Sequence, residues 1–320
     1  VGGSGLYELD GLTEQRWQRV ESPFGAPSDD LLFGRLGPHQ VVFLPRHGRG
    51  HRIPPHEINF LANIDALKRA GVTSIISVSA VGSLRPELRP GTFVLADQFI
   101  DRTLRRPKTF FGTGLVAHVS MAHPTCARLR AGLAAVGAEL GLPLVAAGTY
   151  VVMEGPQFSS LAESELHRGL GCDVVGMTNM PEAKLAREAE LCYATVAMVT
   201  DFDCWHPDHD HVEVDDIVAM MHANGDHARQ LLRAAVPRLA AHQGRCAAGC
   251  DRALENAVMT APVARDAKRD RRRCAQQGAD RPVSDGAVRS IRHSTLRPRL
   301  MTPTPLTRRT LLRQTLGAGL

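Results

Sequence analysis

The sequence has few of the features that mark membrane, secreted or fibrous proteins. Only 5% of its 320 residues are aromatic, and no apolar run approaches the roughly 20 residues that a membrane-spanning helix needs. The N-terminus has no basic stretch followed by an apolar one, the pattern of a secretory signal. The seven cysteines are odd in number and scattered. We therefore expect buried free thiols in a cytoplasmic protein rather than a disulfide framework.

The net charge of +5 belongs to the end of the chain. Residues 265–320 hold 14 Lys and Arg against 4 Asp, which leaves 24 basic against 29 acidic residues in 1–264. The mildly acidic main part shows no sign of a nucleic-acid surface. We predict one domain over residues 1–264 and a basic, disordered tail over 265–320. Because the chain opens directly on a glycine turn, Gly2–Gly5, we expect the strand that normally precedes such a turn to be missing.

Apolar runs of strand type alternate with amphipathic helical patterns. Strands are predicted at Val41–Leu44, Ser74–Ser79, Thr92–Ala96, Ala146–Met153, Cys172–Met177 and Tyr193–Val199. Helices are predicted near His56–Arg69, Pro124–Leu140, Ser159–Gly169, Pro181–Glu190 and Val214–Leu239. This alternation predicts an α/β domain with a mostly parallel or mixed central sheet flanked by helices.

Two carboxylates stand one residue apart after the last predicted strand. Residues i and i+2 of an extended segment point the same way, so Asp201 and Asp203 can address one ligand together. Ligands bind at the carboxyl ends of strands in open α/β sheets, which is where this pair falls. A helix cap or a turn formed by the two side chains is an equally good interpretation of the spacing alone.

Three further loops offer groups for an anion. The Gly2–Gly5 turn presents backbone N–H groups and the Ser4 hydroxyl. Arg46 and His47 place a bidentate fork and a second donor at one point. Ser79 and Ala80 add a hydroxyl and an N–H after another strand. A plain turn, or a close strand-to-helix corner in the last case, explains each of these loops as well.

Other residues have the chemistry of nucleoside contacts or of metal ligands. Phe158 can stack on a planar base, and Met177 and Thr178 offer a soft contact and a hydroxyl to a sugar, although core packing is the usual role of Phe and Met. The loop with His206, His209 and His211 lacks a clear fourth ligand. Cys246-x3-Cys250 has no second cysteine pair at a suitable distance for zinc, so no metal site is expected.

Taken together, the motifs resemble the 5′-methylthioadenosine phosphorylase family of the purine nucleoside phosphorylase superfamily. The resemblance spans residues 1–262, and it is carried by the opening GGSGLY, Ser22–Asp29 (SPFGAPSD), Arg46-His47-Gly48, Gly82-Ser83-Leu84, Asp97–Thr103 (DQFIDRT), Glu154-Gly155-Pro156, Met177-Thr178 and Thr200–Trp205 (TDFDCW). It implies an α/β phosphorylase fold, usually a cytoplasmic homotrimer. It also implies phosphorolysis of S-methyl-5′-thioadenosine to adenine and S-methyl-5-thioribose 1-phosphate, in purine and methionine salvage.

The resemblance also implies roles for individual residues. The phosphate site would comprise Ser4, Arg46, His47, Ser79 and Ala80. Phe158 would stack on the base, Met177 and Thr178 would contact the ribose, and Asp201 and Asp203 would read the purine. The wall of the 5′-alkylthio pocket would comprise Val214, Ile217, Val218 and a neighbouring subunit's equivalent of His118. Two positions depart from the family pattern: Ser79 replaces a common Thr, and Gln157 replaces a common Arg.

The residue types suit this chemistry. Glycosidic cleavage passes through an oxocarbenium-like state, which a phosphate anion beneath the ribose stabilises. Asp201, desolvated near a second carboxylate, is expected to have a raised pKa and to protonate the leaving purine. An ionised carboxylate accepts from a 6-amino group and repels a 6-oxo group. No cofactor and no nucleic-acid or membrane partner is expected. The alternatives are a 6-oxopurine nucleoside phosphorylase, an inactive purine-binding remnant and, more weakly, a nucleic-acid-binding module that uses the tail.

Overall fold

The computed structural model describes residues 1–3, 9–207, 214–242 and 244–260, without the side chains of 214–217 and 223. The strands in these ranges are β1 (Leu12–Gln18), β2 (Leu31–Leu36), β3 (His39–Phe43), β4 (Ser74–Ser83), β5 (Phe93–Val94), β6 (Gln98–Asp101), β7 (Leu144–Val145), β8 (Thr149–Val152), β9 (Val174–Gly176) and β10 (Cys192–Asp201). The α-helices are α1 (Phe60–Arg69), α2 (Ala127–Glu139), α3 (Leu161–Gly169), α4 (Asn179–Glu188) and α5 (Val214–Ala240).

The strands form one small sheet and one large sheet. The small sheet has the order β1-β2-β3, with both pairs antiparallel. The large sheet has the order β6-β8-β9-β4-β10-β5-β7. Its central pair, β4 and β10, is parallel, whereas β4 is antiparallel to β9 and β10 is antiparallel to β5. The predicted mixed sheet flanked by helices is therefore confirmed.

The two long central strands divide the hydrophobic core into two layers. Along β10, Tyr193, Ala197 and Val199 belong to one buried cluster. The alternating residues Val196 and Met198 belong to a second cluster on the opposite face. This period of two places apolar side chains on both faces of the strand, which explains why the sequence shows a continuous apolar run there.

Helix termini follow local sequence signals. The Asn59 side chain accepts a hydrogen bond from the Ala62 N–H at the start of α1. At the start of α3, Ser160 and Glu163 form a capping box, in which each side chain accepts from the other residue's backbone N–H. This cap fixes the loop that carries Phe158 immediately before it. In the described part of the chain, no helix combines the length and apolar character that spanning a bilayer would require.

All six predicted strands and all five predicted helices are confirmed, with shifted ends. The largest change is in β4, which continues four residues beyond the predicted Ser79. The structure adds β1, β2, β6 and β7, which the sequence pattern did not indicate. β1 was missed because six of its seven residues are exposed, so no apolar alternation marks it. The division into 1–264 and 265–320 stays a prediction, because the proposed tail lies outside the described residues.

Candidate active site

The predicted aspartate pair lies where β10 ends, but not in the predicted geometry. Asp201 is the last residue of the strand, and Asp203 has the left-handed φ of 53°, so the segment is not extended. The Asp203 N–H donates to Asp201 Oδ1 at 2.7 Å, and the Thr200 hydroxyl lies 2.7 Å from Asp201 Oδ2. The argument from extended i, i+2 spacing is therefore wrong, and a turn closed by Asp201 brings the two residues together.

Both carboxyl groups are poorly solvated. Burial raises the pKa of Asp201, hydrogen bonds from Thr200 and the Asp203 N–H oppose that rise, and the Asp203 charge adds to it. Burial also raises the pKa of Asp203, and the nearby hydroxyls of Ser164 and Ser159 oppose that rise. Asp203 is only 4% exposed, and its Oδ2 atom is buried without a hydrogen-bond partner. The site therefore favours a bound proton, and it holds one buried carboxylate oxygen whose hydrogen-bonding capacity is unused.

Gly82 leaves the space that the aspartate turn occupies. It pairs with Asp201 across the sheet, and a Cβ at this position would lie 2.9 Å from Asp201 Oδ1 and 3.3 Å from the Asp203 Cβ. Trp205 holds the other end of the turn, because its indole N–H donates to the Ser83 carbonyl at 2.7 Å. The Arg168 guanidinium stacks 3.8 Å from the Trp205 ring centre.

The loop with Phe158 touches this turn. Phe158 is 43% exposed and follows β8, and its neighbour Ser159 accepts a hydrogen bond from the Cys204 thiol through its carbonyl at 3.3 Å. The ring of Phe158 is therefore not covered by core packing. Phe158 is thus exposed on a loop that contacts the residue after Asp203, and its base-stacking role stays a prediction. The adjacent Gln157 is exposed.

Arg106 ties the same loop to Met177. Its side chain is buried, donates to the Glu154 carboxylate at 3.0 Å and donates to the Met177 carbonyl at 2.6 Å. A Cβ on Gly155 would lie 2.5 Å from the Met177 sulfur, so the loop packs directly on that side chain. Arg106 is a positioning residue that the sequence argument did not identify.

Three hydroxyl groups from β4, β8 and the segment after β9 lie close together. They belong to Ser79, Thr178 and Tyr150, a residue that the sequence argument missed. Burial raises the pKa of Tyr150, and the hydroxyls of Ser79 and Thr178 oppose that rise. The Tyr150 and Thr178 hydroxyls are buried without a hydrogen-bond partner of good geometry. Unsatisfied buried donors of this kind can bind an anion. Ala80, on the same strand, is half-buried.

Arg46 is not the free fork that the sequence suggests. Its side chain is 1% exposed and donates to Glu182 Oε2 at 2.8 Å, to Glu182 Oε1 at 3.2 Å, to Ser77 Oγ at 2.5 Å and to the Val78 carbonyl at 3.1 Å. Four of the five N–H groups of a guanidinium are thus engaged. In this arrangement Arg46 can offer at most one N–H to a phosphate, and its predicted role in the phosphate site stays a prediction.

A buried polar network extends from this ion pair to Ser79. Asn179 donates to Ser77 Oγ at 3.0 Å and to the Tyr193 hydroxyl at 2.7 Å, while its carbonyl oxygen accepts from Ser79 Oγ at 3.3 Å. The Tyr193 hydroxyl in turn donates to Glu182 Oε1 at 2.8 Å. The network fixes the position of the Ser79 side chain from below. Alternation along β4 places Ser77 and Ser79 on one face, a signal from which Ser77 was predictable.

His47 is held in one orientation and kept neutral. Its Nδ1 lies 2.8 Å from the Ile53 carbonyl, so this nitrogen carries the proton and Nε2 is the free atom. Its ring stacks on His51 with centres 4.2 Å apart. Burial lowers the pKa of His47 to about 4, with help from the nearby Arg46 charge. A neutral imidazole at this point can accept a hydrogen bond from the O–H of a hydrogen phosphate, whereas it does not pair with the anion as a cation.

Several predicted site residues are only partly placed. Ser4 lies outside the described residues, and so do the side chains of Val214 and Ile217. Val218, on the same helix α5, is 44% exposed. The His118 N–H donates to the Ala257 carbonyl at 2.8 Å. The roles of these residues in the 5′ pocket therefore stay predictions.

The chain matches known proteins over most of its length. Residues 1–237 match the family model described as "Phosphorylase superfamily". The S-methyl-5′-thioadenosine phosphorylase of Rhodospirillum rubrum is 60% identical over 266 residues, covering 83% of this chain and 90% of that protein. The enzyme of the same name from Cereibacter sphaeroides is 58% identical over 266 residues, with 83% and 92% covered.

Solved structures agree with this similarity. A methylthioadenosine phosphorylase sourced from an antarctic soil metagenomic library superposes with a TM-score of 0.80 at 47% identity, covering 86% of this chain and 96% of that one. A methylthioadenosine phosphorylase from Schistosoma mansoni in complex with adenine gives a TM-score of 0.77 at 37% identity, with 81% and 97% covered.

Proposed function

This chain belongs to the phosphorylase superfamily, and we propose that it catalyses phosphorolysis of S-methyl-5′-thioadenosine to adenine and S-methyl-5-thioribose 1-phosphate. The observation that carries the proposal is the buried pair Asp201 and Asp203 at the end of β10, with raised pKa values and one unpartnered oxygen. The loop of the exposed Phe158 contacts the same turn, through the hydrogen bond from Cys204 to the Ser159 carbonyl. The relatives with over 50% identity carry the name of this activity.

The hydroxyl cluster supports a phosphate site beneath the ribose. Thr178 and Tyr150 have buried hydroxyls without partners, and Ser79 is held next to them by Asn179. Phosphate oxygens would accept from these donors, and His47 Nε2 would accept a hydrogen bond from the O–H of a hydrogen phosphate. A phosphate placed there stabilises the positive charge that develops on the sugar, and it is already positioned to attack C1′. Ser4 and Ala80 would complete the site.

The aspartate turn supports the departure of the purine. As the bond between C1′ and N9 breaks, its electrons stay on the purine, while a phosphate oxygen forms the new bond to C1′. A carboxyl group whose pKa is raised holds a proton that can pass to N7 of the leaving base. The ionised partner accepts from the 6-amino group of adenine, and this arrangement repels a 6-oxo group.

We also propose that the chain works as a cytoplasmic homotrimer. In such an assembly His118 of one subunit would approach the 5′ pocket of the next, together with Val214, Ile217 and Val218. The six free cysteines among the described residues support a reducing compartment. A small apolar pocket suits the methylthio group better than a 5′-hydroxyl.

The test is phosphate-dependent release of adenine from S-methyl-5′-thioadenosine, with an Asp201→Asn variant beside the unchanged protein. Loss of a general acid lowers kcat by about 10²–10⁴-fold. The matched control is Asp65→Asn, because Asp65 pairs with Arg69 on the surface of α1 and not with the site. We expect the control to retain full activity.

Two alternatives predict different results in the same assay. Faster turnover of inosine than of S-methyl-5′-thioadenosine would identify a 6-oxopurine nucleoside phosphorylase. Adenine binding by calorimetry, without cleavage of either nucleoside at any phosphate concentration, would identify a purine-binding remnant. Either outcome would overturn the proposed specificity, while the family membership would stand.

A further inference from the structure

Four cysteines converge in the core, away from the aspartate turn. They come from three parts of the chain and are Cys126, Cys192, Cys246 and Cys250, named here the cysteine cluster. Their four Sγ atoms all lie within 4.8 Å of one another, and those of Cys126 and Cys246 are 3.7 Å apart. A zinc site at Cys246-x3-Cys250 was not expected from the sequence, because no second cysteine pair lies at a suitable distance along the chain. The fold supplies that pair from the start of α2 and the start of β10.

The geometry is that of a tetrahedral thiolate site for one ion. With zinc–sulfur bonds of about 2.3 Å, the sulfurs of a regular tetrahedron lie roughly 3.8 Å apart. The 3.7 Å between the Cys126 and Cys246 sulfurs matches this spacing, and the 4.8 Å that bounds all the pairs is close to it. All four cysteines are free thiols. Four sulfurs this close leave room for one ion and not for a polynuclear iron–sulfur cluster. We propose that the cysteine cluster binds one structural Zn²⁺ ion.

The backbone around the cluster is built for such a site. The spacing C-x3-C lies within the usual range for a pair of zinc ligands. Between the two cysteines the chain turns at Gly249, with a φ of 69°, and the Gly249 N–H donates to the Cys246 carbonyl at 2.9 Å. Cys126 is the N-cap of α2, where the partial positive charge of the helix terminus favours a thiolate.

Burial and neighbouring groups fit a ligand set better than scattered core thiols. All four residues are at most 5% exposed and belong to one hydrophobic cluster. The Cys246 N–H donates to Asp251 Oδ2 at 3.2 Å, which holds the loop in place. Hydrogen bonds that orient the residues around a metal site contribute to its affinity, and Asp251 supplies one of this kind.

The site would anchor the last described segment of the chain. That segment pairs with residues 116–118, since the Met259 N–H donates to the Val116 carbonyl at 2.9 Å and His118 donates to the Ala257 carbonyl at 2.8 Å. A bound ion would therefore hold the segment that supports His118. Because zinc binding stabilises the folded form, removal of the ion should loosen these hydrogen bonds first.

The first experiment measures metal in the full chain, purified with zinc present under reducing conditions. We expect one zinc ion per chain after dialysis, released in step with modification of four thiols by an organic mercurial. Replacement by Co²⁺ should give the intense visible absorption of a tetrahedral tetrathiolate site. A metal content well below one ion per chain, with all thiols open to alkylation, would overturn the proposal. So would a disulfide within the cysteine cluster in the freshly purified protein.

Variants provide the second experiment. Cys246→Ser and Cys250→Ser should each lose most of the zinc, and hydrogen exchange of the His118 N–H should become faster. The matched control is Cys172→Ser, because Cys172 is buried in a different hydrophobic cluster, and it should keep one ion per chain. Zinc loss from the control equal to that of the variants would contradict the assignment. The mercurial titration of the unchanged protein decides the question even where a variant fails to fold.

Discussion

Replacing Glu182 with alanine should destabilise the fold strongly, because it would leave the buried Arg46 guanidinium without its counterion. The side chains of both residues are at most 2% exposed, and two hydrogen bonds join them. Ser77 and Tyr193 also donate to Glu182 Oε1, at 2.6 and 2.8 Å. The carboxylate is thus the common acceptor of the whole network, and no other acid of that network takes its place.

The size of the effect follows from burial. Removing one partner of a buried ion pair typically costs about 3–5 kcal/mol, whereas replacing both partners with apolar residues of similar volume is often nearly neutral. With a shift of roughly 2–4 °C per kcal/mol for a domain of this size, Glu182→Ala should lower Tm by about 6–20 °C. The double variant Arg46→Met with Glu182→Leu should recover part of this loss, because it removes the unpaired charge but still deprives the Ser77 and Tyr193 hydroxyls of their acceptor.

Thermal unfolding at one fixed protein concentration is the assay, because assembly makes Tm depend on concentration. The double variant also reports on phosphate. If Arg46 acts mainly as a structural residue, the KM of the double variant for phosphate should rise only modestly. A rise of more than about 100-fold, roughly 2.7 kcal/mol at 1.36 kcal/mol per factor of ten, would show that Arg46 is a principal phosphate ligand. A destabilisation below about 1 kcal/mol in Glu182→Ala would refute the reasoning on burial.

Three further predictions concern single residues of the site. Thr178→Val should raise the phosphate KM by about 10–150-fold, since a hydrogen bond to a charged group contributes about 1.5–3 kcal/mol. The control Thr195→Val removes a buried hydroxyl that bonds to Tyr193 in the supporting network, and it should leave the phosphate KM unchanged. Equal effects of the two substitutions would contradict the phosphate role. Gly82→Ala should lower kcat/KM by roughly ten-fold or more, because the added Cβ would lie 2.9 Å from Asp201 Oδ1 and displace the aspartate turn. The control Gly169→Ala adds a Cβ that meets nothing within 4 Å, and it should leave kcat/KM unchanged. The pKa of His47 is lowered to about 4, so between about pH 6.5 and 4 the unfolded chain binds a proton that the folded chain does not bind. The free energy of unfolding should therefore fall by up to about 3 kcal/mol as the pH falls through this window. If His47→Gln leaves the pH profile of denaturant unfolding unchanged, this prediction is wrong.

The fold was predictable from the sequence where burial imposes a pattern. β10 is apolar on both faces and β4 alternates between two core layers, so both strands were identified. β1 was not, because its exposed polar residues carry no alternation. The strands β6 and β7 were missed for another reason: at four and two residues they are too short for periodicity to separate them from loops.

The site was predictable in its members but not in its connections. Motif order identified Asp201, Asp203, Phe158 and Thr178, and the structure brings them to neighbouring strand ends. The hydrogen bond between Arg46 and Glu182 joins residues 136 positions apart in the sequence, and no local sequence pattern predicts such a pair. The cysteine cluster shows the same limit, since Cys126 and Cys246 meet across 120 positions. Contacts between residues far apart in the sequence depend on the folded topology, and local sequence patterns do not predict them.

Thr200 explains how the aspartate turn can hold a proton and also release it. Its hydroxyl lies 2.7 Å from Asp201 Oδ2 and 3.2 Å from the Val81 carbonyl, but it has one proton to donate. When Asp201 is ionised, the hydroxyl donates to the carboxylate and stabilises the charge. When Asp201 is protonated, its O–H can donate to Thr200, and the hydroxyl turns to Val81. Both protonation states are therefore satisfied without moving the backbone. The same turn leaves Asp203 Oδ2 unpartnered. Because the two carboxyls interact, the proton belongs to the pair, and the two hydrogen-bonding arrangements of Thr200 favour Asp201 as the group that holds it.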